Sequence, residues 1–228
     1  MSAMMKRWSK QLTLLLAGLL FGAFAALAED TDEAIPDTGL ITASTPIPED
    51  ATDSRDDGIL RNESGRPVTH DLLGQSLFQF EAPQIGGGTF ISDSLRGKWT
   101  VMTFWGVWCH DSRNDAENIA AVAAHFADHP NVQFMSLHVP YNRDYLDKRF
   151  GKFDSVEAYF EDRGLSWPTA LDEESILRNW QKIRWTPTYL LIGPDMTVHA
   201  YRTDIYSVGE GGLERFIAEV EGIARPAG

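Results

Sequence analysis

The sequence predicts an α/β domain, with a central mixed β-sheet covered by helices on both faces. Three observations carry that prediction. The run Trp99–Trp105 is β-rich and ends continuously apolar, as a strand buried on both faces should. Apolar residues then recur at helical spacing, at Ile119, Val122, Ala123 and Phe126. Toward the C-terminus, β-rich runs at 188–192 and 197–201 flank Gly193-Pro194-Asp195, a turn sequence. A helix striped by Leu213, Phe216, Ile217 and Val220 follows. Strands separated by helices, then a hairpin and a closing helix, build a layered sheet.

The remaining elements fit between these. Residues 76–80 read as a short strand, and Gly86-Gly87-Gly88 turns into another at Thr89–Ile91. That triplet is a hairpin turn and not a phosphate loop, because neither a lysine nor a helix accompanies it. Residues 132–139 form the next buried strand. Asp154 and Glu157 have the spacing of a capping box for a helix through Phe160, ended by Gly164. A strand at 167–171 and a helix at 174–183 complete the order. The polar and aromatic stretch 141–153 reads as a solvated loop, with the flank of a substrate groove as the alternative.

Two segments precede the domain. Residues 1–28 have the pattern of a signal peptide: Lys6, Arg7 and Lys10, an apolar run over 14–27, then Ala26-Leu27-Ala28. The run is shorter than the roughly 20 residues of a bilayer span, so membrane attachment is expected only if the segment stays uncleaved. The expected location is the periplasm. Residues 29–66 hold eleven acids against Arg55, Arg61 and Arg66, with three prolines, and read as an acidic flexible linker. The domain takes residues 67–228.

Charge and cysteine usage narrow the function. The formal charge is −13, which leaves no basic patch to neutralise phosphates and argues against nucleic acid. With one cysteine, no disulfide can form within the chain, and a single thiol in an exported protein is reactive or pairs between molecules. The segment that carries chemistry is Trp105-Gly106-Val107-Trp108-Cys109-His110-Asp111-Ser112-Arg113. A buried strand enters a tight turn and Cys109 opens a helix, where free amides and the helix dipole favour a thiolate. Asp111 opposes a thiolate, whereas a protonated His110 or a hydrogen bond from Ser112 supports one. In Trp185-Thr186-Pro187-Thr188, a proline before a β-rich run predicts a cis peptide.

Phe104-Trp105 through Trp108-Cys109, Thr186-Pro187-Thr188 and Leu191-Ile192-Gly193-Pro194-Asp195 resemble the TlpA/ResA-type thioredoxins of the cell envelope. Gly97-Lys98 and the stretch from Trp167-Pro168 to Asp172 belong to the same likeness, which spans residues 70–225. The resemblance implies a thioredoxin fold and makes Cys109 the exposed, attacking thiol. It places Pro187 beside that thiol, with Thr186 offering backbone groups to an incoming peptide. Trp105 and Trp108 would shield and shape the site. The chain departs from the family at Ser112, where the resolving cysteine belongs, and has His110 and Asp111 between the two positions. The proline that kinks the family's helix is absent around Glu117, which implies a straighter helix.

A dithiol attacks a substrate disulfide with one sulfur and releases the product with the other. With Ser112 only the first step has an internal nucleophile. The expected activity is therefore monothiol thiol–disulfide exchange on cysteine-containing envelope proteins, completed by an external thiol reductant. The alternative is a redox-inactive binding or adaptor protein that uses the groove at Pro187; an inert thiol and a dimer linked through Cys109 are further readings. Peroxiredoxins share the fold, but their Pro-x-x-x-Thr-x-x-Cys pattern is not in register before Cys109. His125 and His129 share a helical face, yet histidines at a helix end more often meet its carbonyls than a metal. No metal or cofactor is expected.

Overall fold

A computed structural model describes residues 39–225; the signal segment expected over 1–28 and the spacer's residues 29–38 lie outside them. At the centre is β4 (Trp99–Trp105), buried from Thr100 onward. It pairs parallel with β5 (Val132–His138) and antiparallel with β7 (Thr188–Ile192). β6 (Thr169–Leu171) adds parallel to β5. On the other side β8 (Val198–Arg202) and the edge strand β1 (Ile41–Thr42) add antiparallel, giving the order β1-β8-β7-β4-β5-β6. A parallel β4–β5 pair needs a crossover, which α1 (His110–Asn114) and α2 (Ala116–Phe126) supply. β2 (Glu81–Pro83) and β3 (Thr89–Ile91) form a separate hairpin through the glycine triplet.

The pleat divides the core in two. Val101, Trp105, Tyr189 and Leu191 face one side, closed by α2, α3 (Val156–Arg163) and α5 (Gly212–Ile223). Met102, Phe104, Leu190 and Ile192 face the other. There the short α4 (Ile176–Trp180) contributes Leu177, and Leu72, Leu77, Phe80 and Phe90 from the irregular chain around the hairpin cover the rest. Apolar residues spaced without a period can still close a core face when the backbone is bent to deliver them.

Several expected boundaries shift. The strand expected at 76–80 is a single bridge from Ser76 to Thr197, and the paired strand begins at Glu81. Ser155, not Asp154, caps α3, its Oγ accepting from the Ala158 amide at 3.2 Å; Gly164 ends the helix at φ 63°. α4 is shorter than the 174–183 expected, because the Asp172 carboxylate accepts from the Ile176 and Arg178 amides (2.9 Å each) and fixes where the helix starts.

The segment expected to be a flexible spacer is packed from Gly39 onward. β1 joins the sheet, and the Leu40 amide donates to Glu219 at 2.8 Å. The arginines scattered among the acids act as anchors. Arg61 is 2% exposed and reaches both Asp57 oxygens at 2.7 Å, and Arg66 pairs with buried Asp204 at 2.7 Å. Composition reports the exposed acids, while placement depends on a few cations and apolar side chains that counting does not see.

The helix after Cys109 is also not straight. It breaks at Asp115, between α1 and α2. The Asp115 carboxylate is buried and accepts from the Tyr189 hydroxyl (2.6 Å), the Tyr206 amide (2.8 Å), the Ile205 amide (3.1 Å) and the Asn118 amide nitrogen (2.7 Å). Burial raises its carboxyl above the ordinary value, against the pull of these donors. Without a proline, the break is held from across the sheet by the chain at 205–206. Asp115→Ala strands those buried donors and should cost about 3 kcal/mol or more in denaturant unfolding. Asp115→Asn, which keeps an acceptor, should cost less.

Candidate active site

β4 leaves the sheet at Trp105, and within four residues Cys109 caps α1 with φ −85° and ψ 130°. Almost every polar group of this turn is paired. The Cys109 amide donates to the Gly106 carbonyl at 3.0 Å, and the Gly106 amide donates to Ser112 Oγ at 3.2 Å. The Val107 amide donates to His138 Nε2 at 3.2 Å. Arg113 Nη1 reaches the Val107 and Trp108 carbonyls at 2.9 and 3.1 Å. Position 106 must be glycine, because a Cβ there would lie 2.3 Å from Trp108 Nε1.

The thiol is half-buried, and its sulfur donates to the Thr186 carbonyl at 3.2 Å. The Thr186–Pro187 peptide is cis, so the two motifs 77 residues apart meet as the sequence implied. The expected site residues then divide. Trp108 is half-buried, with Nε1 donating to the Val139 carbonyl at 2.7 Å, and it lines the cavity beside Cys109. Thr186 lines the same cavity. Trp105 does not: it is fully buried, donates to Ser136 Oγ at 3.0 Å and packs on Phe160 and Trp167. The alternation of faces along β4 sends its ring into the core, so it supports the turn from behind and cannot touch a substrate.

His110 points to solvent at 74% exposure. Asp111 is held by the Tyr206 hydroxyl at 3.0 Å. Ser112 is fully buried, its oxygen engaged by the Gly106 amide. Ser112 thus has a structural task in the place of a resolving thiol. His125 and His129, away from this site, meet Glu221 and the amides of Asn131 and Val132. Among the described residues no group of three His, Cys, Asp or Glu could hold a metal.

Residues outside the expected set also shape the site. Tyr141, from the stretch read as a solvated loop, meets Trp108 edge-on at 5.1 Å. Arg178 from α4 lies over the rings of Trp108 and Tyr141 at 5.7 and 5.9 Å, and its Nη1 donates to the Pro140 and Tyr141 carbonyls. Burial lowers the Arg178 pKa, and charge on Cys109 pulls it the other way. Arg55 and Arg184 line the cavity as well. A lone arginine in a loop carries no sequence signal for such a role, since its partners are distant in the chain.

Residues 73–201 match the AhpC/TSA family, and the chain belongs to it. No curated protein matches the chain. Among solved structures it is similar to the thioredoxin domain of a thiol-disulfide oxidoreductase from Bacteroides vulgatus (TM-score 0.51, 15% identity, 67% of this chain and 98% of that one). It is similar, too, to a Chlorobium tepidum protein assigned as a thiol:disulfide interchange protein, DsbE (TM-score 0.51, 15% identity, 65% and 96% covered). A Bacteroides thetaiotaomicron protein assigned as a disulfide isomerase aligns at TM-score 0.50, 18% identity, with 66% and 87% covered. At such identities the likeness establishes the thioredoxin fold, in agreement with the sheet order.

His138 offers a test of how the turn is held. Burial pushes its pKa down to about 3, with the charge of Arg149 acting in the same direction. The neutral ring accepts from Val107, whereas the protonated ring has two donors and no acceptor. Its stabilising contribution is therefore complete above the unfolded value near 6.5 and is lost as pH falls toward about 3. Unfolding free energies of wild type and His138→Gln, measured from pH 7 to 4, should diverge with an extra wild-type slope approaching 1.4 kcal/mol per pH unit below pH 6. Parallel profiles would show that His138 does not titrate on unfolding.

Proposed function

We propose that this chain is an exported, monothiol thiol–disulfide exchange protein of the periplasm, working through Cys109 on cysteine-containing envelope proteins. The observation that carries the reading is the half-exposed Cys109 sulfur at 3.2 Å from the Thr186 carbonyl, next to cis Pro187. That carbonyl and its neighbours are backbone groups an extended peptide could pair with while its sulfur meets the thiol. Peroxide chemistry fits less well, because Gly106 and buried Met102 stand in the register of the threonine and proline of a peroxidatic site.

In the proposed cycle the Cys109 thiolate attacks a partner disulfide, joins one sulfur and expels the other as a thiolate. Ser112 cannot resolve the adduct, because its oxygen is a weak nucleophile and is bound to the Gly106 amide. An external thiol then attacks, frees Cys109 and leaves oxidised in a disulfide.

Cys109→Ala should abolish exchange with a model mixed disulfide, and wild type without added thiol should stop as a covalent adduct visible by intact mass. Full exchange in the alanine variant would sink the proposal and favour the binding or adaptor reading. Ser112→Cys should restore the resolving step, so that the variant reduces a protein disulfide and forms its own bridge between positions 109 and 112. Its cost should be about 1 kcal/mol, from the weakened acceptor for Gly106. Failure of that variant to form the bridge would show that the turn does not bring the two positions together.

A further inference from the structure

The cavity beside Cys109 has an electrostatic character opposite to that of the chain. It measures about 440 Å³ and is lined by Arg55, Arg178 and Arg184, with Asp111 as its sole carboxylate. The chain as a whole carries −13, and arginines elsewhere find acids: Arg61 with Asp57, Arg66 with Asp204, Arg96 with Asp93. Among the described residues, none of the three cavity arginines has a carboxylate within ion-pair distance. Asp111 is further occupied by the Tyr206 hydroxyl. Arg178 uses Nη1 on two carbonyls, which leaves other donors of its five N–H groups for a ligand. Three cations gathered around a single thiol, in a strongly acidic chain, form an anion-receiving surface. The cavity volume falls in the range of small-molecule sites and suits a tripeptide more than a folded partner.

We propose that this cavity selects a small, carboxylate-bearing thiol compound as the group that Cys109 exchanges. The inference rests on the reading of Cys109 as an exchange nucleophile and names its substrate class. In the forward step the Cys109 thiolate attacks the sulfur of the carboxylate-bearing half of a mixed disulfide. A Cys109 Sγ–S bond forms, the original S–S bond breaks, and the other half leaves as a thiolate that takes a proton from water. A second small thiol, deprotonated, then attacks the adduct, forms a new disulfide with the carboxylate-bearing half and frees Cys109. The departing half of the first step is reduced, the two small thiols are oxidised together, and no further electron donor is needed.

The test uses the full chain and three disulfides: glutathione disulfide (anionic), hydroxyethyl disulfide (neutral) and cystamine (cationic). Modification of Cys109 is followed by intact mass, and each rate is divided by that of the same disulfide with N-acetylcysteine amide, a neutral reference thiol. The expected order is anionic, neutral, cationic, spanning at least about tenfold at low salt. The span should shrink near 1 M salt, where the screening length is about 3 Å, and in the doubly substituted Arg55→Gln, Arg184→Gln chain. The net charge alone predicts the reverse order, so a flat or reversed series overturns the inference. A second measurement does not need a reactive thiol. S-methylglutathione should bind in calorimetry at least about fivefold more tightly than its diethyl ester, and equal binding or none overturns the inference. Arginine-dependent binding of S-methylglutathione with an unreactive Cys109 would defeat the exchange reading, and with it the substrate assignment, leaving only an anion-binding cavity; exchange without charge preference would defeat the substrate assignment and leave the exchange reading standing.

Discussion

The structure around the thiol depends on one constraint: a buried strand must become a helix within four residues while its polar backbone stays paired. Water cannot reach the Gly106 and Val107 amides, so protein atoms must satisfy them. Ser112 takes the first and His138 the second, and Arg113 gathers the Val107 and Trp108 carbonyls. These three side chains come from the helix that follows and from the neighbouring strand β5. The turn is consequently locked to the helix it enters and to strand β5, and Cys109 is delivered against the Thr186 carbonyl with little freedom of its own.

The same constraint explains why serine suits position 112, where the resemblance expects a second cysteine. Serine is smaller than cysteine and a better hydrogen-bond acceptor, and at position 112 it accepts from a buried amide. A site that gives up the resolving thiol thus gains a firmer turn. Chemistry and stability separate in the proposed cycle: its first exchange step would depend on the position of Cys109, and only a resolving step would depend on the residue at 112. Asp115 has a parallel relation to the absent helix-kinking proline. A proline bends a helix by removing a donor, whereas Asp115 bends it by drawing in donors from 189, 205 and 206.

How much of this was legible in the sequence follows from the range of the interactions. The central strand, α2 and the closing helix are set by periodic apolar residues close in the chain, and β4 and β7 have the boundaries the pattern predicts. The meeting of Cys109 with the Thr186-Pro187 turn, through the Thr186 carbonyl, was legible only through family resemblance, because nothing local links residues 77 positions apart. The role of Trp105 was misread because family likeness marks a residue as belonging to the site without saying which face of the strand it occupies. Arg178, His138 and Asp115 were missed since each acts through partners remote in sequence, and Tyr141 was legible only as the start of a loop that could flank a groove. The packed chain at 39–66 was missed because acidity and prolines describe its surface, while Arg61 and Arg66 fix its path.

The arginines at the mouth of the site bear on how the proposed monothiol cycle would turn over. Without a resolving cysteine, release depends on a second molecule reaching the adduct, and a buried or crowded sulfur would make that step slow. The cavity stays open, and its walls attract one charge sign against the field of the whole chain. Local geometry of this kind focuses a field, so in the proposed cycle an anionic thiol would be concentrated at the adduct while other thiols meet the repulsion or indifference of the surrounding surface. Discrimination by charge at the second step would then substitute for the discrimination that an internal thiol achieves by proximity. On this view Arg55, contributed by a segment whose composition reads as a tether, belongs to the chemistry of the domain it precedes.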